Sequence, residues 1–451
     1  MKKHIFFNRI FLGIGANIIN QFFNFLYQFA CIAIFVYYWG ESYYGEWLLI
    51  YSFCQYLTMG DIGISATLSN KITNLIENKE FTNANKYFTN GWFLLSIFSI
   101  FFFLIILLLI VFFQKNQYNF IKDDDLFIFL FFILFYVLIF IQINLFSGIY
   151  TASLQFAKQK HIDTIAKILE FSIILFCLIL EGKAIMVSFG MLISKILIFI
   201  YILIDINKNF KWFSLRVSFI KQQYIFEVIK PSLANMFLNL GALMYYNGPT
   251  ILVGYYLGNS VVPKYYALMT IIRSAKQLPL LINLPLYPEY ARLIGLNRFN
   301  TAKNLHKAAI LLTFFTALSA VIFLFFFSDI ILGLLFKNVY VINPFFQIAL
   351  IALLVQCIWH GSSVLLVGSN KHIKLAFHFA LSSIIGYIII IVTIHNLQLT
   401  AVSLGLLTID LLMLYSTFKQ VFSIINENLR DFLNIRYKEI LSQIKILKYE
   451  K

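Results

Sequence analysis

Long apolar stretches alternate with short polar connections along the whole chain. A transmembrane helix needs about 20 predominantly apolar residues, and most of these stretches reach that length. They predict twelve spans, at about 11–38, 44–69, 89–113, 126–152, 161–180, 184–206, 231–257, 261–290, 306–327, 340–367, 373–395 and 398–419. The pattern therefore predicts an all-α polytopic membrane protein.

An internal repeat relates the two halves of the chain without gaps at an offset of 218 residues. Matching pairs include Ala16 and Ala234, Asn17 and Asn235, Tyr27 and Tyr245, Gly40 and Gly258, and Ser42 and Ser260. Six spans is an even number, so both halves have the same orientation, and a pseudo-two-fold axis along the membrane normal relates them. We therefore expect six-helix bundles at 1–210 and 211–420 around a central cavity, then a cytoplasmic amphipathic tail at 421–451.

Composition and charge exclude a soluble protein. Hydrophobic residues make up 61% of the chain and charged residues 12%, whereas soluble domains carry about 25% charged residues. The formal net charge is +15, and the basic residues concentrate in alternate connections such as 71–86 and 292–307. Because loops rich in lysine and arginine stay in the cytoplasm, this asymmetry puts both termini there and accounts for the charge without nucleic acid.

The sequence gives no sign of a cofactor, a metal site or a catalytic motif. Its four cysteines are scattered without a CxxC pair, and the acidic run 123–125 falls in an external loop, where a solvated run of charges is expected. No P-loop, GxSxG or HExxH motif occurs. The apolar stretch after MKKHIFFNRI is too long for a signal peptide, so we expect an uncleaved first span.

Two cations near the middle of the eighth span are the strongest candidates for a functional site. Arg273 and Lys276 are three residues apart and therefore share one helix face. A cation at the centre of a lipid-facing helix costs roughly 2.5–3.5 kcal/mol, so both must face protein or water with an anion nearby. We expect them to bind an anionic substrate, and Lys195, near the middle of the sixth span, to join them.

The first helix of each half carries polar amides on one face. In the first span these are Asn17, Asn20, Gln21, Asn24 and Gln28, and in the seventh they are Asn235 and Asn239. Amides in lipid are expensive, so the two faces are expected to line an interior. The candidates for substrate binding are Asn17, Gln21, Asn24, Asn235 and Asn239. The alternative is hydrogen bonding between helices.

Three acids within the spans admit two interpretations. Lys167 and Glu170 are spaced as an ion pair on one helix face, and Asp61 and Asp410 are candidates for coupling transport to an ion. In the alternative, Asp61, Glu170 and Asp410 neutralise the intramembrane cations in a purely structural network. Against that alternative, no acid lies within one helical turn of the two cations on the eighth span.

One stretch of the sequence resembles a known family. Residues 40–87 read GESYYGEWLLIYSFCQYLTMGDIGISATLSNKITNLIENKEFTNANKY. They are similar to the polysaccharide-transporter family of the MATE-like flippase superfamily in YGEW at the start of the second span, in the D-x-G-I-S turn, and in N-K-I before a short basic loop. The second half repeats the likeness from GNSVVPKYY to RLIGLNRFNTAKN.

The resemblance implies an O-antigen flippase rather than an enzyme. Such proteins move undecaprenyl-pyrophosphate-linked oligosaccharide from the inner to the outer leaflet of a bacterial inner membrane by alternating access, alongside a polysaccharide polymerase and a chain-length regulator. Three rivals stay open. A lipid II flippase would share the mechanism, a MATE-like cation-coupled exporter would need an anionic cavity, and a polymerase or ligase of lipid-linked sugars would need a larger external loop.

Overall fold

The computed structural model describes residues 2–61, 63–115, 126–283, 286–335, 340–369 and 371–433, and all regular structure within these ranges is helical. The helices are α1 (Lys2–Cys54), α2 (Ile64–Glu77), α3 (Phe81–Lys115), α4 (Leu126–Ala152), α5 (Phe156–Ile179), α6 (Ala184–Asn209), α7 (Gln222–Tyr246), α8 (Gly248–Leu257), α9 (Val262–Ala275), α10 (Gln277–Asn283), α11 (Leu286–Gly295), α12 (Phe299–Leu335), α13 (Phe345–Gly368), α14 (Ile373–Leu397), α15 (Leu399–Ile425) and α16 (Leu429–Leu433). Short 3-10 segments occupy Gln55–Asp61, Val217–Phe219 and Asn259–Val261. The all-α prediction is confirmed.

The helices account for the predicted spans. Within the described ranges, eight helical stretches are long and apolar enough to cross a membrane, and one of them, Gly15–Thr73, covers the first two predicted spans. These two spans meet at Gly40, where φ is 72° and the backbone leaves the helical conformation. The fifth predicted span corresponds to α5, the seventh to α7 and α8, and the eighth to α9, α10 and α11. The chain is therefore a multi-pass membrane protein.

Prolines explain why the seventh and eighth spans are interrupted. Proline has no backbone N–H, so Pro249 and Pro279 each remove the hydrogen bond to the carbonyl four residues earlier. In the structure α7 ends at Tyr246 and α8 begins at Gly248, while α9 ends at Ala275 and α10 begins at Gln277. The interruptions leave backbone carbonyls for side chains to satisfy.

The chain forms two compact units. One comprises the described residues of Met1–Leu243 and Val253–Pro263, and the other those of Met244–Leu252 and Lys264–Lys451. In the first unit α1 packs along α5, and α4 packs against α6. In the second, α13 and α14 both pack against α15. The expected bundle limits at 1–210 and 211–420 stay a prediction, and most of the expected tail falls outside the described residues.

Candidate functional site

The candidate site in the second unit is built around the free C-terminal end of α7. The backbone carbonyl of Tyr246, the last residue of α7, accepts a hydrogen bond from Arg273 Nη2 at 2.9 Å. A cation at a helix C-terminus is favourable because the macrodipole places partial negative charge there. Nearby, the hydroxyl of Tyr387 donates to the carbonyl of Met244 at 2.7 Å. Side chains thus donate to two backbone carbonyls at the C-terminal end of α7.

Lys276 reaches the same tyrosine from the interruption between α9 and α10. Its Nζ donates to the Tyr246 hydroxyl at 3.0 Å. The Tyr246 ring also faces both cations, at 5.2 Å from the Arg273 guanidinium carbon and 5.7 Å from Lys276 Nζ. An aromatic face attracts a cation without neutralising it. The two cations therefore converge on one residue, as their shared helix face suggested.

Neither cation has a carboxylate partner in the part of the chain that the structure describes. A guanidinium has five N–H donors and an ammonium three, yet each makes one side-chain hydrogen bond here. Arg273 Nε is buried with no hydrogen-bond partner, and so is the hydroxyl of Tyr265. Buried polar atoms are rarely left in this state. The two cations have unused donors and no acid in ion-pair contact among the described residues, an arrangement that suits an anionic ligand.

Asp410 lies in the same unit and is fully buried. Its two carboxylate oxygens accept hydrogen bonds from the Tyr245 hydroxyl at 2.7 Å and from Trp359 Nε1 at 2.9 Å. Both donors are neutral, so the negative charge is held by hydrogen bonds and not by an ion pair. Sequence reasoning singled out the acid but missed Tyr245, Tyr246 and Trp359. The only sequence signal for the tyrosines is their position just before the helix-breaking Pro249.

A buried ion pair in the first unit corrects one sequence-based interpretation. Glu170 pairs with Lys195 at 2.6 Å, and both residues are buried. The carboxylate also accepts hydrogen bonds from Tyr27 at 3.0 Å and Tyr136 at 2.9 Å. The interpretation of Lys167 and Glu170 as an ion pair is therefore wrong. Helical spacing within α5 suggested it, whereas the contact between α5 and α6 supplies Glu170 with another cation.

The amides of α1 bind α5. Asn20 Nδ2 donates to Thr164 Oγ1 at 3.1 Å. Asn24 Nδ2 donates to Asn20 Oδ1 at 3.3 Å, and Lys167 Nζ donates to Asn24 Oδ1. For Asn20 and Asn24 the structure thus shows hydrogen bonds between helices, the alternative considered from the sequence. Asn17 and Gln21 are half-buried.

The remaining candidates are spread over α2 and α7. Asn235 Nδ2 donates to Thr67 Oγ1 at 3.4 Å, and Asn239 is exposed. Asp61 accepts bonds from the backbone N–H and the hydroxyl of Ser65, both at 2.9 Å, which is how a residue caps the start of a helix. The roles of all these residues in binding substrate or ion stay predictions. Within the described residues no group of three or more potential metal ligands occurs.

Solved structures resemble this chain over nearly its whole length. The lipid II flippase MurJ in an inward closed conformation matches with a TM-score of 0.68 and 14% identity, covering 98% of this chain and 93% of that one. The MATE multidrug transporter DinF-BH, solved in a complex, matches with a TM-score of 0.68 and 14% identity, over 93% of this chain and 96% of that one.

A third solved structure is described by the polarity of its binding pocket. It is a MOP superfamily transporter from Pyrococcus furiosus whose reverse pocket polarity suggests a different function, with a TM-score of 0.56, 13% identity and coverage of 93% and 95%. At these identities the likeness establishes the fold, which is that of the MATE-like transporters and flippases. No curated protein matches the sequence.

A family model gives the identity that the fold alone does not. The model described as polysaccharide biosynthesis protein matches residues 10–294. That range is more than half of the chain, and it includes α9 with Arg273 and the following Lys276. With its MATE-like helical fold, the chain belongs to the polysaccharide biosynthesis protein family.

Proposed function

We propose that the protein is a flippase for undecaprenyl-pyrophosphate-linked oligosaccharide, an O-antigen or similar repeat unit. It moves this lipid from the inner to the outer leaflet of the bacterial inner membrane by alternating access, with both of its own termini in the cytoplasm. The observation that carries the proposal is the pair Arg273 and Lys276, which converge on Tyr246 with no carboxylate in ion-pair distance among the described residues.

A pyrophosphate is the chemical group that this pair suits. It is a compact polyanion that cannot enter hydrocarbon without replacing its hydration. The guanidinium of Arg273 supplies paired N–H donors in a fork that fits two phosphate oxygens, and Lys276 adds a mobile point charge. The unpartnered Arg273 Nε and the Tyr265 hydroxyl are further donors in the same unit. Family membership supports an oligosaccharide as the rest of the substrate. Amides such as those of Asn17, Gln21 and Asn239 can hydrogen-bond sugar hydroxyls.

Charge separates this proposal from two of its rivals. A cation-coupled drug exporter would need anionic groups facing its cargo, whereas the two charged groups that converge on Tyr246 are positive. A polymerase or ligase of lipid-linked sugars needs groups that activate an acceptor, and the candidate site provides binding groups instead. A lipid II-type flippase carries the same lipid pyrophosphate, and the membership in the polysaccharide biosynthesis family favours an oligosaccharide over a peptidoglycan precursor.

Coupling to an ion belongs to the same proposal. Asp410 is a fully buried carboxylate held by two neutral donors, so a cation could take its charge without breaking an existing ion pair. Asp61 is less suited because its oxygen caps α2. We assign the coupling role to Asp410. The partners that we propose are a polysaccharide polymerase and a chain-length regulator.

Substitution of Arg273 tests the proposal. In cells whose own gene is deleted, Arg273→Ala should reduce surface polysaccharide about tenfold or more, since one charged hydrogen bond contributes about 1.5–3 kcal/mol. Arg273→Lys should retain part of the activity, because the charge remains while the fork is lost. Arg292→Ala is the matched control, as Arg292 forms an exposed ion pair with Glu289. Loss of Arg273→Ala from the membrane, or normal surface polysaccharide in that variant, would contradict the proposal.

A further inference from the structure

A groove runs between α1 and α5 in the first unit. It has a volume of about 210 Å³ and is lined by Phe23, Leu26, Tyr27 and Ala30 on α1 and by Ile168 and Phe171 on α5, with Lys167 as its one charged residue. The wall is almost wholly apolar, so the groove suits a hydrocarbon chain. The Lys167 ammonium reaches from this wall to the Asn24 amide of α1.

Lys167 is in contact with a neutral group and not with an acid. Its Nζ donates to the amide oxygen of Asn24, a neutral acceptor. The two acids nearest in sequence are already engaged, Glu170 by Lys195 at 2.6 Å and Asp163 by Lys160 at 2.9 Å. Among the side chains described, no carboxylate lies within ion-pair distance of Lys167. A half-buried cation without an anion is costly, so an anionic ligand would be stabilised here.

The groove opens toward lipid. Leu26 and Ile168 on its walls are each 44% exposed, and their neighbours Phe22 and Ile165 are 59% and 57% exposed. Exposed apolar side chains on membrane-spanning helices contact hydrocarbon. A chain from the bilayer can therefore enter the groove sideways.

The depth of Lys167 decides which lipid the groove suits. Helix α5 ends at Ile179, and a hydrocarbon core of about 30 Å corresponds to about 20 residues before that end. Lys167 then lies roughly 10 Å inside the core. Its ammonium donates to the Asn24 side chain of α1. Phosphates of resident phospholipids stay outside the core, whereas the phosphate of a lipid in transit must pass this depth.

We propose that this groove is a second binding site for the translocated lipid, with a segment of its isoprenoid chain against the apolar wall and its phosphate on Lys167. The inference rests on the proposed function, and it adds a site in the first unit to the pair in the second. Lys167 holds the lipid phosphate by charge, while Phe23, Phe171 and Ile168 hold the chain by contact. Asn24 positions the ammonium.

Lipid binding to the purified full-length protein tests the groove directly. The probes are undecaprenyl phosphate, uncharged undecaprenol and phosphatidylglycerol, each titrated and counted by native mass spectrometry. Lys167→Met should weaken undecaprenyl phosphate binding about tenfold, and Lys167→Arg should restore most of it. Ala30→Phe, which fills the groove and leaves the charge, should weaken binding of both isoprenoids. Lys158→Met is the matched control, because Lys158 on the same helix already pairs with Asp205 and does not line the groove.

Three results would overturn the groove site. They are equal binding of undecaprenyl phosphate by wild type and Lys167→Met, equal binding by wild type and Ala30→Phe, and a Lys167-dependent preference for phosphatidylglycerol, which would indicate a resident phospholipid. Arg273→Ala, assayed in parallel, separates the two proposals. If Lys167→Met binds undecaprenyl phosphate as the wild type does while Arg273→Ala loses surface polysaccharide, the groove site is excluded and the proposed flippase function stands. Normal polysaccharide in Arg273→Ala removes the proposed function whatever the groove binds.

Discussion

At the scale of single residues, neighbours decide what each intramembrane charge does. Lys195 has an acid, Glu170, at 2.6 Å, so its charge is balanced inside the first unit. Arg273 and Lys276 have Tyr246 instead, which holds them without neutralising them. Removing one partner of a buried pair costs about 3–5 kcal/mol, whereas a cation held only by neutral acceptors gains from an added anion. Basic residues that look alike in sequence thus have different partners, an acid for Lys195 and a tyrosine for Arg273 and Lys276.

One prediction at this scale concerns Asp410. If its carboxylate carries the coupling cation, Asp410→Asn should lower polysaccharide export at least tenfold with a near-normal amount of protein in the membrane. The amide keeps one oxygen for Tyr245 or Trp359, so the local loss is that of about one buried hydrogen bond. Surface polysaccharide and membrane-bound protein are measured together.

Tyr245→Phe is the control for that substitution. It removes one hydrogen bond to Asp410 and leaves the charge, so export should continue. Full export in Asp410→Asn would show that the acid is structural.

At the scale of elements, close approaches fix how α1 packs. A Cβ at Gly45 would lie 1.8 Å from the carbonyl oxygen of Asn259 and 3.2 Å from Pro263 Cδ. The same contact includes a hydrogen bond from the Asn259 amide to Glu46 at 3.3 Å. The second half of α1 therefore meets the 3-10 segment Asn259–Val261 within the first unit, and only glycine allows this distance.

Gly45→Ala should accordingly destabilise the protein. Forcing extra volume into a packed contact costs about 1–3 kcal/mol, so the midpoint of thermal unfolding in detergent should fall by several degrees at a fixed scan rate. Gly15→Ala on the same helix is the matched control, because no atom lies within 4 Å of its added methyl. That variant should be unchanged or slightly more stable. An unchanged midpoint in Gly45→Ala would show that the contact is looser than the structure has it.

At the scale of the whole molecule, the helices indicate a multi-pass membrane protein, and the prediction of its orientation rests on charge. The distribution of lysine and arginine predicts that both termini are cytoplasmic. Cysteine placed at the exposed Asn396 should then react with a membrane-impermeant maleimide in intact cells. Cysteines at the exposed Asn78 and Asn300 should react only after the cells are permeabilised.

The wild-type protein serves as the control for labelling. Its cysteines Cys54, Cys177 and Cys357 are buried and Cys31 is half-buried, so the background should be low. Labelling of a cysteine at position 78 or 300 in intact cells would contradict the predicted orientation or the twelve-span arrangement.

The sequence by itself determined the fold class, the twelve apolar spans and the shared face of Arg273 and Lys276. These depend on hydropathy and on the 3.6-residue period, which are local properties of the chain. The tertiary structure alone decided that Glu170 pairs with Lys195, that Lys167 is left beside an apolar groove, and that Tyr246 joins the two cations. Partners of a charge come from other helices, and no local pattern records which helices meet. The contact between Arg273 and the Tyr246 carbonyl lies between these cases, because Pro249 predicts the break in the helix and packing alone supplies the arginine.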